Sequence, residues 1–303
     1  MALLLHSTAD RCTVWSRLFA EAGEALIPGE DAVADPAEVT HLACWQPPAD
    51  LGRYPNLSVV ICTGAGTDHF PPLPPGVTLS RTLAPGIEAM VRDWVVMATL
   101  ALHRELPRYV QQGRRGQWRT YPARPASSCR VGIMGMGRIG QLVAQSLSFL
   151  GFPVAGLSRS GRPVAGIEVH AAAGLRPFLA RTDLLICLMP LTAETRGLMD
   201  EAFFAQLPGG ARLVHAGRGA QLDMEALRRA LDSGHLASAM LDVTDPEPLP
   251  EDHWAWRDPR LLITPHIGAH TDAEEGARHA LHVISATRNG EPVPGAVDRT
   301  KGY

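Results

Sequence analysis

The chain has 303 residues, a formal net charge of −3, 46% hydrophobic residues and 19% charged residues. Because one hydrophobic core rarely supports a chain of this length, we expect two domains. The balanced charge excludes the basic surface that nucleic acid or an anionic membrane attracts, and no apolar run reaches the roughly 18 residues of a membrane span, so we expect a small-molecule or protein partner.

The five cysteines are odd in number and show no CxxC spacing, which indicates reduced thiols. The apolar run at residues 1–5 is too short for a signal peptide and lacks a basic flank, so we expect a cytoplasmic protein. No metal is expected. His266 and His270 have a spacing that could ligate a metal on a helix, but Pro265 and Gly268 disfavour a helix there and no third ligand is evident.

Short apolar runs alternate with amphipathic stretches along nearly the whole chain, a pattern typical of α/β folds with parallel strands. The runs that predict strands are Leu3–His6, Leu42–Trp45, Val59–Cys62, Val131–Met134, Val154–Leu157, Leu184–Leu188, Leu213–His215 and Leu261–Thr264.

Two long helices are predicted from apolar residues at helical spacing. The first covers Glu88–Leu106 and ends before Pro107. The second begins near the chain's C-terminal end, where Thr271 and Glu274 have the spacing of a capping box, and it ends before Gly290. Between the first helix and the run at 131 lies a polar segment, residues 113–130, which is either a linker or an arm that reaches a neighbouring subunit.

A phosphate-binding loop is predicted at Gly135-Met136-Gly137-Arg138-Ile139-Gly140. A GxGxxG pattern alone is weak, but this one follows an apolar run, opens a helical stripe and precedes another run, which is the β-α-β context that dinucleotide binding requires. The first glycine permits the tight turn, the second lets the backbone approach a pyrophosphate, and the third lets helix and strand pack closely. Unpaired N–H groups at the helix start attract the anion.

The segment behind this loop predicts the cofactor. An NAD site usually carries an acid about 20 residues on, but residues 141–167 contain no Asp or Glu. The second strand ends instead in Ser158-Arg159-Ser160, followed by Arg162. Hydroxyl and guanidinium groups suit a 2′-phosphate, so NADPH is preferred and NADH remains possible. The alternative is that these arginines are solvated loop charges.

Three later segments each place a polar residue after a short apolar strand. They deliver Arg218, Glu247 and His266. In open α/β sheets ligands sit beyond the carboxyl ends of the strands, so we expect these side chains to converge on one crevice. Alone, each could be a salt-bridge or surface residue, and Glu247 in a proline-rich loop could be a solvated acid.

These segments resemble the Arg-Gly, Glu-Pro and Thr-Pro-His motifs of the D-isomer-specific 2-hydroxyacid dehydrogenase family, and the resemblance covers nearly the whole chain. It extends to residues 62–68, 188–192 and 297–303. That ending, together with residues 45–48 and 158–160, is most similar to the glyoxylate/hydroxypyruvate reductase A branch, whose members favour NADPH.

The resemblance implies reduction of a small 2-keto acid, glyoxylate or hydroxypyruvate, to the D-2-hydroxy acid. The residue types fit this chemistry, because the reaction needs a cation for the substrate carboxylate and an acid for the carbonyl oxygen. Arg218 would hold the carboxylate and polarise the carbonyl, and His266 would donate the proton. Glu247, if hydrogen-bonded to the other ring nitrogen, would orient the imidazole and favour its protonated form.

Further contacts are implied outside this trio. Substrate contacts are expected at Trp45, Ala65 and Gly66, although Trp45 could equally be core packing. Cofactor contacts are also expected at Pro190, Thr195, Ala216, Asp242 and Gly268.

The resemblance implies two Rossmann-like α/β domains. Residues 93–276 would form the nucleotide-binding domain around a doubly wound parallel sheet, and residues 1–92 with 277–303 would form a flavodoxin-like substrate domain. A homodimer is also implied, with Trp118 reaching towards the partner.

The chain departs from the family pattern in three places. His215 stands where many members have Asn, Thr244 stands where the branch has an aromatic residue, and residues 84–92 match poorly. The alternatives are therefore a dehydrogenase for a bulkier 2-keto acid, or a dinucleotide-sensing protein similar to corepressors built on this scaffold. The intact trio of Arg218, Glu247 and His266 favours an enzyme.

Overall fold

The structure is a computed structural model that describes residues 2–298. The matching C-terminal segment at 297–303 therefore lies mostly outside the described residues. The chain divides into two compact units, with junctions at Ile87/Glu88 and Ala269/His270. The first and last parts of the chain form one unit, and the middle of the chain forms the other.

The apolar runs that predict strands all form strands, in the same order along the chain. The strands are β1 (Ala2–His6), β2 (Leu26–Pro28), β3 (Val39–Cys44), β4 (Val59–Cys62), β5 (Thr78–Arg81), β6 (Val131–Met134), β7 (Val154–Ser158), β8 (Glu168–Ala171), β9 (Leu184–Cys187), β10 (Ala211–His215), β11 (Leu236–Leu241) and β12 (Leu261–Ile263). The α-helices are α1 (Ala9–Glu21), α2 (Pro85–His103), α3 (Leu106–Arg114), α4 (Arg138–Phe149), α5 (Leu175–Ala180), α6 (Glu201–Phe204), α7 (Met224–Asp232) and α8 (Ala273–Asn289). Short 3-10 helices lie at Glu30–Ala32, Pro36–Glu38, Leu51–Arg53, Ala126–Ser128, Ala172–Gly174, Gly219–Gln221 and Trp254–Arg257.

The terminal unit is built on a five-stranded sheet in the order β2-β1-β3-β4-β5, and every neighbouring pair is parallel. This is the flavodoxin-like order. Helices α1 and α8 pack together over one face, where Trp15 and Phe19 meet Ala280 and Ile284 in a buried cluster. The predicted flavodoxin-like fold is confirmed for this unit.

The middle unit contains a seven-stranded sheet in the order β12-β11-β10-β9-β6-β7-β8, again with every neighbouring pair parallel. The chain runs outward from β6 to β8 and then returns to the other side of β6 with β9. The strand order therefore reverses between β6 and β9, which makes the predicted doubly wound sheet and places a switch point there.

Both faces of this sheet are covered, as parallel sheets require. Successive residues of β6 point to opposite faces, and Ile133 and Met134 accordingly belong to different hydrophobic clusters. Helix α4 buries Val143 and Leu147 in the cluster of Ile133, while α7 buries Leu227 in the cluster of Met134.

The helix boundaries differ from the prediction for local reasons. Helix α2 ends at His103, and Glu105 takes a left-handed backbone conformation with φ of 58° before α3 begins. Pro107 lies in the first turn of α3, where its missing N–H costs no hydrogen bond. The N-cap of α8 is Asp272 and not Thr271, because the Asp272 carboxylate accepts the N–H groups of residues 274 and 275.

The sequence patterns did not predict three strands, β2, β5 and β8, because these strands are short and only partly buried. All three lie at the end of a sheet's strand order, where one side lacks a neighbouring strand of the sheet and the apolar signal is weak. Over residues 2–298, none of the helices combines the length and apolar character needed to cross a bilayer.

Candidate active site

The carboxyl ends of the parallel strands in the middle unit all meet one edge of its sheet. The residues that follow them include the glycine loop after β6, Ser158 at the end of β7, Pro190 after β9 and Arg218 after β10. Glu247 and His266 follow β11 and β12 at the same edge. The sheet therefore gathers the predicted cofactor and catalytic residues of this unit along one crevice.

The glycine loop has the geometry that a pyrophosphate site requires. Gly135 adopts φ of 104°. A Cβ there would lie 2.8 Å from the backbone of Leu188, the first residue after the neighbouring strand β9. A Cβ on Gly140 would lie 1.9 Å from the carbonyl oxygen of Gly135, whereas a Cβ on Gly137 would meet nothing within 4 Å. Two glycines thus permit close packing, and the third leaves open space at the start of α4.

The first turn of α4 is not capped by a side chain, since its N-cap is Gly137. The helix has 12 residues, so its N-terminus carries a full complement of unpaired N–H groups and a favourable dipole for an anion. Arg138 forms an ion pair with Glu88 through its Nε at 2.6 Å. Met136 is buried against Gly156 of β7, and Ile139 packs at the edge of the same core cluster.

The predicted 2′-phosphate residues form a turn after β7. Ser158 Oγ accepts the N–H of Gly161 at 3.0 Å, which closes the turn, while Arg159 and Ser160 are exposed. Acid-free residues 141–167 therefore present hydroxyl and guanidinium groups at the place where an NAD site usually carries a carboxylate.

Hydrogen bonds of the Thr195 side chain hold the loop after β9 in place. Its hydroxyl donates to the carbonyl oxygen of Pro190 at 2.8 Å and accepts the N–H of Thr192 at 2.8 Å. In the structure Thr195 therefore shapes the loop that carries Pro190. Contact of either residue with a cofactor stays a prediction.

Arg218 begins a short turn after β10, and both of its backbone polar groups are held by side chains. Its N–H donates to Oε1 of Gln221 at 2.9 Å, and its carbonyl oxygen accepts a hydrogen bond from Nε2 of His215 at 2.9 Å. The guanidinium donates to the carbonyl oxygen of Gly217 at 2.8 Å. Ala216, a predicted cofactor contact, is half-buried in the same loop.

His215 is completely buried at the end of β10. Burial lowers the pKa of its imidazole from 6.5 to about 4, and the nearby Arg218 charge adds to this lowering. The ring is therefore neutral at pH 7, and it donates through Nε2 because a carbonyl oxygen can only accept.

Glu247 and His266 form a direct pair. His266 Nδ1 donates to Oε2 of Glu247 at 3.0 Å, which leaves Nε2 available for proton transfer. The second carboxylate oxygen, Oε1, accepts the backbone N–H of Thr244 at 3.0 Å. The structure therefore brings together the two predicted members of the dyad.

The Arg218 turn packs against the Glu247 loop. A Cβ on Gly219 would lie 1.9 Å from the carbonyl oxygen of Thr244, so only glycine allows this approach. The predicted catalytic residues of the middle unit are thus carried by loops that are in contact with each other.

Asp242 anchors the segment that carries His266. Its buried carboxylate accepts hydrogen bonds from the hydroxyl of Thr264 at 2.6 Å, the N–H of Ile267 at 2.9 Å and the N–H of Gly268 at 2.7 Å. His266 itself has φ of 52°, an uncommon conformation for a side-chain-bearing residue. Such strain persists only where surrounding contacts enforce it, and Asp242 supplies them. The predicted cofactor contacts at Asp242 and Gly268 stay predictions.

The predicted substrate residues of the terminal unit also lie together at strand ends. Trp45 follows β3, and the loop with Ala65 and Gly66 follows β4. A Cβ on Gly64 would lie 2.6 Å from the Trp45 ring, so the indole rests directly on this loop. Trp45 remains 47% exposed, which argues against a role in core packing alone.

The sequence patterns missed several residues that shape these sites. His69 stacks on Trp45 with ring centroids 4.2 Å apart and donates from Nε2 to the Trp45 carbonyl oxygen at 2.6 Å. The patterns also did not indicate that Gln221 and Thr195 hold loops in place by hydrogen bonds. No sequence signal marks these contacts, because each joins residues in ordinary polar loops. Within residues 2–298, no three His, Cys, Asp or Glu side chains lie close enough to hold one metal ion.

Comparisons with known proteins show the family to which the chain is similar. Residues 96–268 match the family model of the D-isomer specific 2-hydroxyacid dehydrogenase, NAD binding domain. Glyoxylate/hydroxypyruvate reductase A of Salmonella heidelberg strain SL476 is 36% identical over 280 residues, which cover 89% of this chain and 90% of that protein.

Solved structures also match over the whole chain. A D-isomer specific 2-hydroxyacid dehydrogenase from Xanthobacter autotrophicus Py2, in complex with NADPH and MES, has a TM-score of 0.93 and 34% identity, covering 100% of this chain and 99% of that one. An NADPH-dependent glyoxylate/hydroxypyruvate reductase from Sinorhizobium meliloti, in complex with NADP and sulfate, has a TM-score of 0.92, 34% identity and the same coverage. The predicted family resemblance is confirmed.

Proposed function

Because this chain belongs to the D-isomer-specific 2-hydroxyacid dehydrogenase family, we propose that it uses NADPH to reduce glyoxylate or hydroxypyruvate to the D-2-hydroxy acid. The observation that carries this proposal is the 3.0 Å hydrogen bond between His266 and Glu247, at the same sheet edge as Arg218 and the glycine loop. A proton donor, an anion clamp and a dinucleotide loop are the parts that reduction of a keto acid requires.

The glycine loop fits a bound dinucleotide. Open space at Gly137 and the uncapped start of α4 would hold the pyrophosphate. Ser158, Arg159 and Ser160 would bind the 2′-phosphate that distinguishes NADPH, and the relatives with NADPH or NADP bound support this preference. NADPH, when bound, supplies the hydride for the keto carbon.

The chain's own residues supply binding and proton transfer. Arg218 holds the substrate carboxylate and polarises the carbonyl, and His266 gives the proton on Nε2 to the carbonyl oxygen as negative charge develops there. Glu247 holds the Nδ1 side of the ring and stabilises the imidazolium. In the reverse direction the neutral ring of His266 accepts the hydroxyl proton.

Substrate recognition is assigned to the domain formed by residues 1–92 and 277–303, and NADPH binding to residues 93–276. Trp45, Ala65 and Gly66 would contact the substrate, with backbone N–H groups of the loop available to a carboxylate. A large indole at this loop favours a small substrate over a bulkier keto acid, because it reduces the room beside Gly64. A dinucleotide sensor would need no such dyad.

We also propose a cytoplasmic homodimer. All five cysteines are free thiols in the structure, which suits a reducing compartment. The middle unit carries an open groove of about 620 Å³ whose lining includes Met97, Leu100 and Leu106, all large exposed apolar side chains. Trp118 is fully exposed on the segment proposed as an arm. Apolar patches of this kind commonly mark protein interfaces.

Turnover of candidate substrates tests the main proposal. NADPH absorbance is followed with glyoxylate, hydroxypyruvate, pyruvate and phenylpyruvate, and each reaction is repeated with NADH. We expect the two small substrates and NADPH to give the highest kcat/KM. Higher kcat/KM with phenylpyruvate would establish the bulkier substrate class, and tight NADPH binding without any turnover would favour a sensor.

A further inference from the structure

We propose that His215 and Gln221 are positioning residues that fix the backbone of Arg218 from both sides and thereby set where its guanidinium meets the substrate. The proposal rests on the function proposed above. Neither residue belongs to the predicted catalytic set.

We call the hydrogen bonds from the His215 and Gln221 side chains to the Arg218 backbone the clasp. Its first half is the single hydrogen bond from His215. Nε2 of His215 donates to the Arg218 carbonyl oxygen at 2.9 Å from a completely buried ring. Because burial keeps the imidazole neutral, the buried site does not carry a second positive charge next to the Arg218 guanidinium.

The second half joins the Arg218 turn to the loop after β9. Gln221 is completely buried, and its Oε1 accepts the Arg218 N–H at 2.9 Å. Its Nε2 donates to the carbonyl oxygens of Met189 at 3.2 Å and Pro190 at 2.9 Å. Gln221 therefore couples the position of Arg218 to the loop that is predicted to contact the cofactor.

The clasp adds buried side-chain hydrogen bonds to a turn that backbone contacts also hold, since the Arg218 carbonyl oxygen accepts the N–H of Gln221 at 3.0 Å and Gly219 packs against Thr244. Gly217 and Gly219 flank Arg218 and carry no side chains that could hold it. Arg218 itself is extended, with φ of −140° and ψ of 139°, so backbone strain does not fix its place. The hydrogen bonds from His215 and Gln221 thus contribute to fixing where the long Arg218 side chain begins. Misplacement of a catalytic group by about 1 Å can cost on the order of 100-fold in rate.

His215→Leu removes the donor and keeps an apolar side chain of similar size. We expect it to raise KM for the keto acid about tenfold and to lower kcat about tenfold, while KM for NADPH changes less than about twofold. The inhibition constant of oxamate, a probe for carboxylate binding, should rise in parallel with the KM of the keto acid. His215→Gln can place an amide nitrogen near the position of Nε2 and should restore both constants to within about threefold.

Gln221→Met tests the other half, since methionine matches the length of glutamine without its hydrogen bonds. We expect the same changes in KM and kcat for the keto acid and in the inhibition constant of oxamate. The double variant should lose less than the product of the two single losses, because both residues hold one backbone segment. If His215→Leu does not fold, Gln221→Met and the rescue variant His215→Gln carry the test.

His235→Leu is the matched control. His235 also donates from Nε2 to a backbone carbonyl oxygen, that of Phe204 at 2.8 Å, in the same unit. We expect its keto acid constants to stay near those of the wild type, whatever its thermal stability.

The two proposals fail separately. Wild-type protein that reduces none of the keto acids would overturn the proposed function. Active wild-type protein together with a folded His215→Leu or Gln221→Met variant of normal KM, kcat and oxamate inhibition would overturn the clasp. Equal losses in His215→Leu and His235→Leu, or no rescue by glutamine, would also overturn it, because these results indicate a general structural role.

Discussion

His266 and Glu247 are joined by a hydrogen bond of 3.0 Å between Nδ1 and Oε2, although 18 residues separate them along the chain. The other oxygen of the carboxylate is fixed by the backbone N–H of Thr244 at 3.0 Å. The carboxylate is thus held at both oxygens, and it fixes one side of a ring whose backbone is strained. This arrangement determines the orientation from which Nε2 can deliver a proton.

Removing the charge of Glu247 should weaken proton donation without removing the hydrogen bond. For Glu247→Gln we expect kcat for reduction to fall about 10- to 100-fold, because the ring loses the anionic partner that orients it for proton transfer. Steady-state rates with the keto acid check this. Asp245→Asn, an exposed acid in the same loop, is the matched control and should stay within about twofold of the wild type. A Glu247→Gln variant with the kcat of the wild type would contradict the dyad.

Arg218 and His266 should each be essential for turnover and dispensable for cofactor binding. We expect Arg218→Ala and His266→Ala to lower kcat/KM by on the order of 1,000-fold or more, since one loses the anion clamp and the other the acid. Fluorescence titration should show NADPH affinity within about twofold of the wild type. Arg218→Lys should recover only part of the loss, because lysine cannot bind a carboxylate bidentately. Near-normal turnover in either alanine variant would show that the site has been misplaced.

Arg159 should contribute to NADPH preference. A charge-assisted hydrogen bond is worth about 1.5–3 kcal/mol, so Arg159→Ala should raise KM for NADPH roughly 10- to 100-fold. KM for NADH provides the internal control, and it should remain nearly constant because NADH lacks the 2′-phosphate. An equal rise in both constants would mean that the residue acts on the loop and not on the phosphate.

Three buried histidines should make the fold sensitive to acid. Burial lowers the pKa of His41, His215 and His279 to about 4, below the unfolded value of 6.5. The unfolded chain then binds more protons than the folded one, so stability is complete above about pH 6.5 and falls as the pH drops towards 4. Each histidine contributes a slope of up to about 1.4 kcal/mol per pH unit.

Urea unfolding between pH 4 and 7 measures this slope. His279→Gln should flatten it, since one titrating group is removed, whereas replacement of the exposed His270 by Gln should leave it unchanged. An unchanged slope in His279→Gln would show that the buried ring does not drive the acid sensitivity.

The exposed apolar groove of the middle unit should be an interface between two copies of the chain. Met97 is 48% exposed in this groove, and Met97→Glu would place a charge there. Light scattering after size-exclusion chromatography should give twice the chain mass for the wild type and a shift towards the monomer for the variant. Glu225→Lys changes an exposed charge on α7 and should leave the mass unchanged. A monomeric wild type at micromolar concentration would contradict the dimer.

The sequence by itself determined the architecture and the chemistry of individual positions. Short apolar runs predicted eight of the strands, and β11 was predicted as the short apolar strand that precedes the Glu247 segment. These runs are readable because burial on both faces of a parallel sheet demands continuous apolar residues. The glycine loop could be predicted for a related reason. A positive φ at Gly135, and the 1.9 Å that would separate a Cβ on Gly140 from the Gly135 carbonyl oxygen, exclude other residues, so the local sterics appear directly in the sequence.

Only the tertiary structure decided which side chains hold the functional ones. Gln221, in the loop after β10, donates a hydrogen bond to the carbonyl oxygen of Pro190 in the loop after β9. Asp242 accepts a backbone N–H of the segment that carries His266, and His215 donates to the Arg218 carbonyl oxygen. These hydrogen bonds depend on how adjacent strand ends pack, and neither hydrophobic period nor residue spacing encodes them. The same reason explains the edge strand β8 and the break at Glu105 before α3, which ordinary polar residues form once the neighbouring elements are in place.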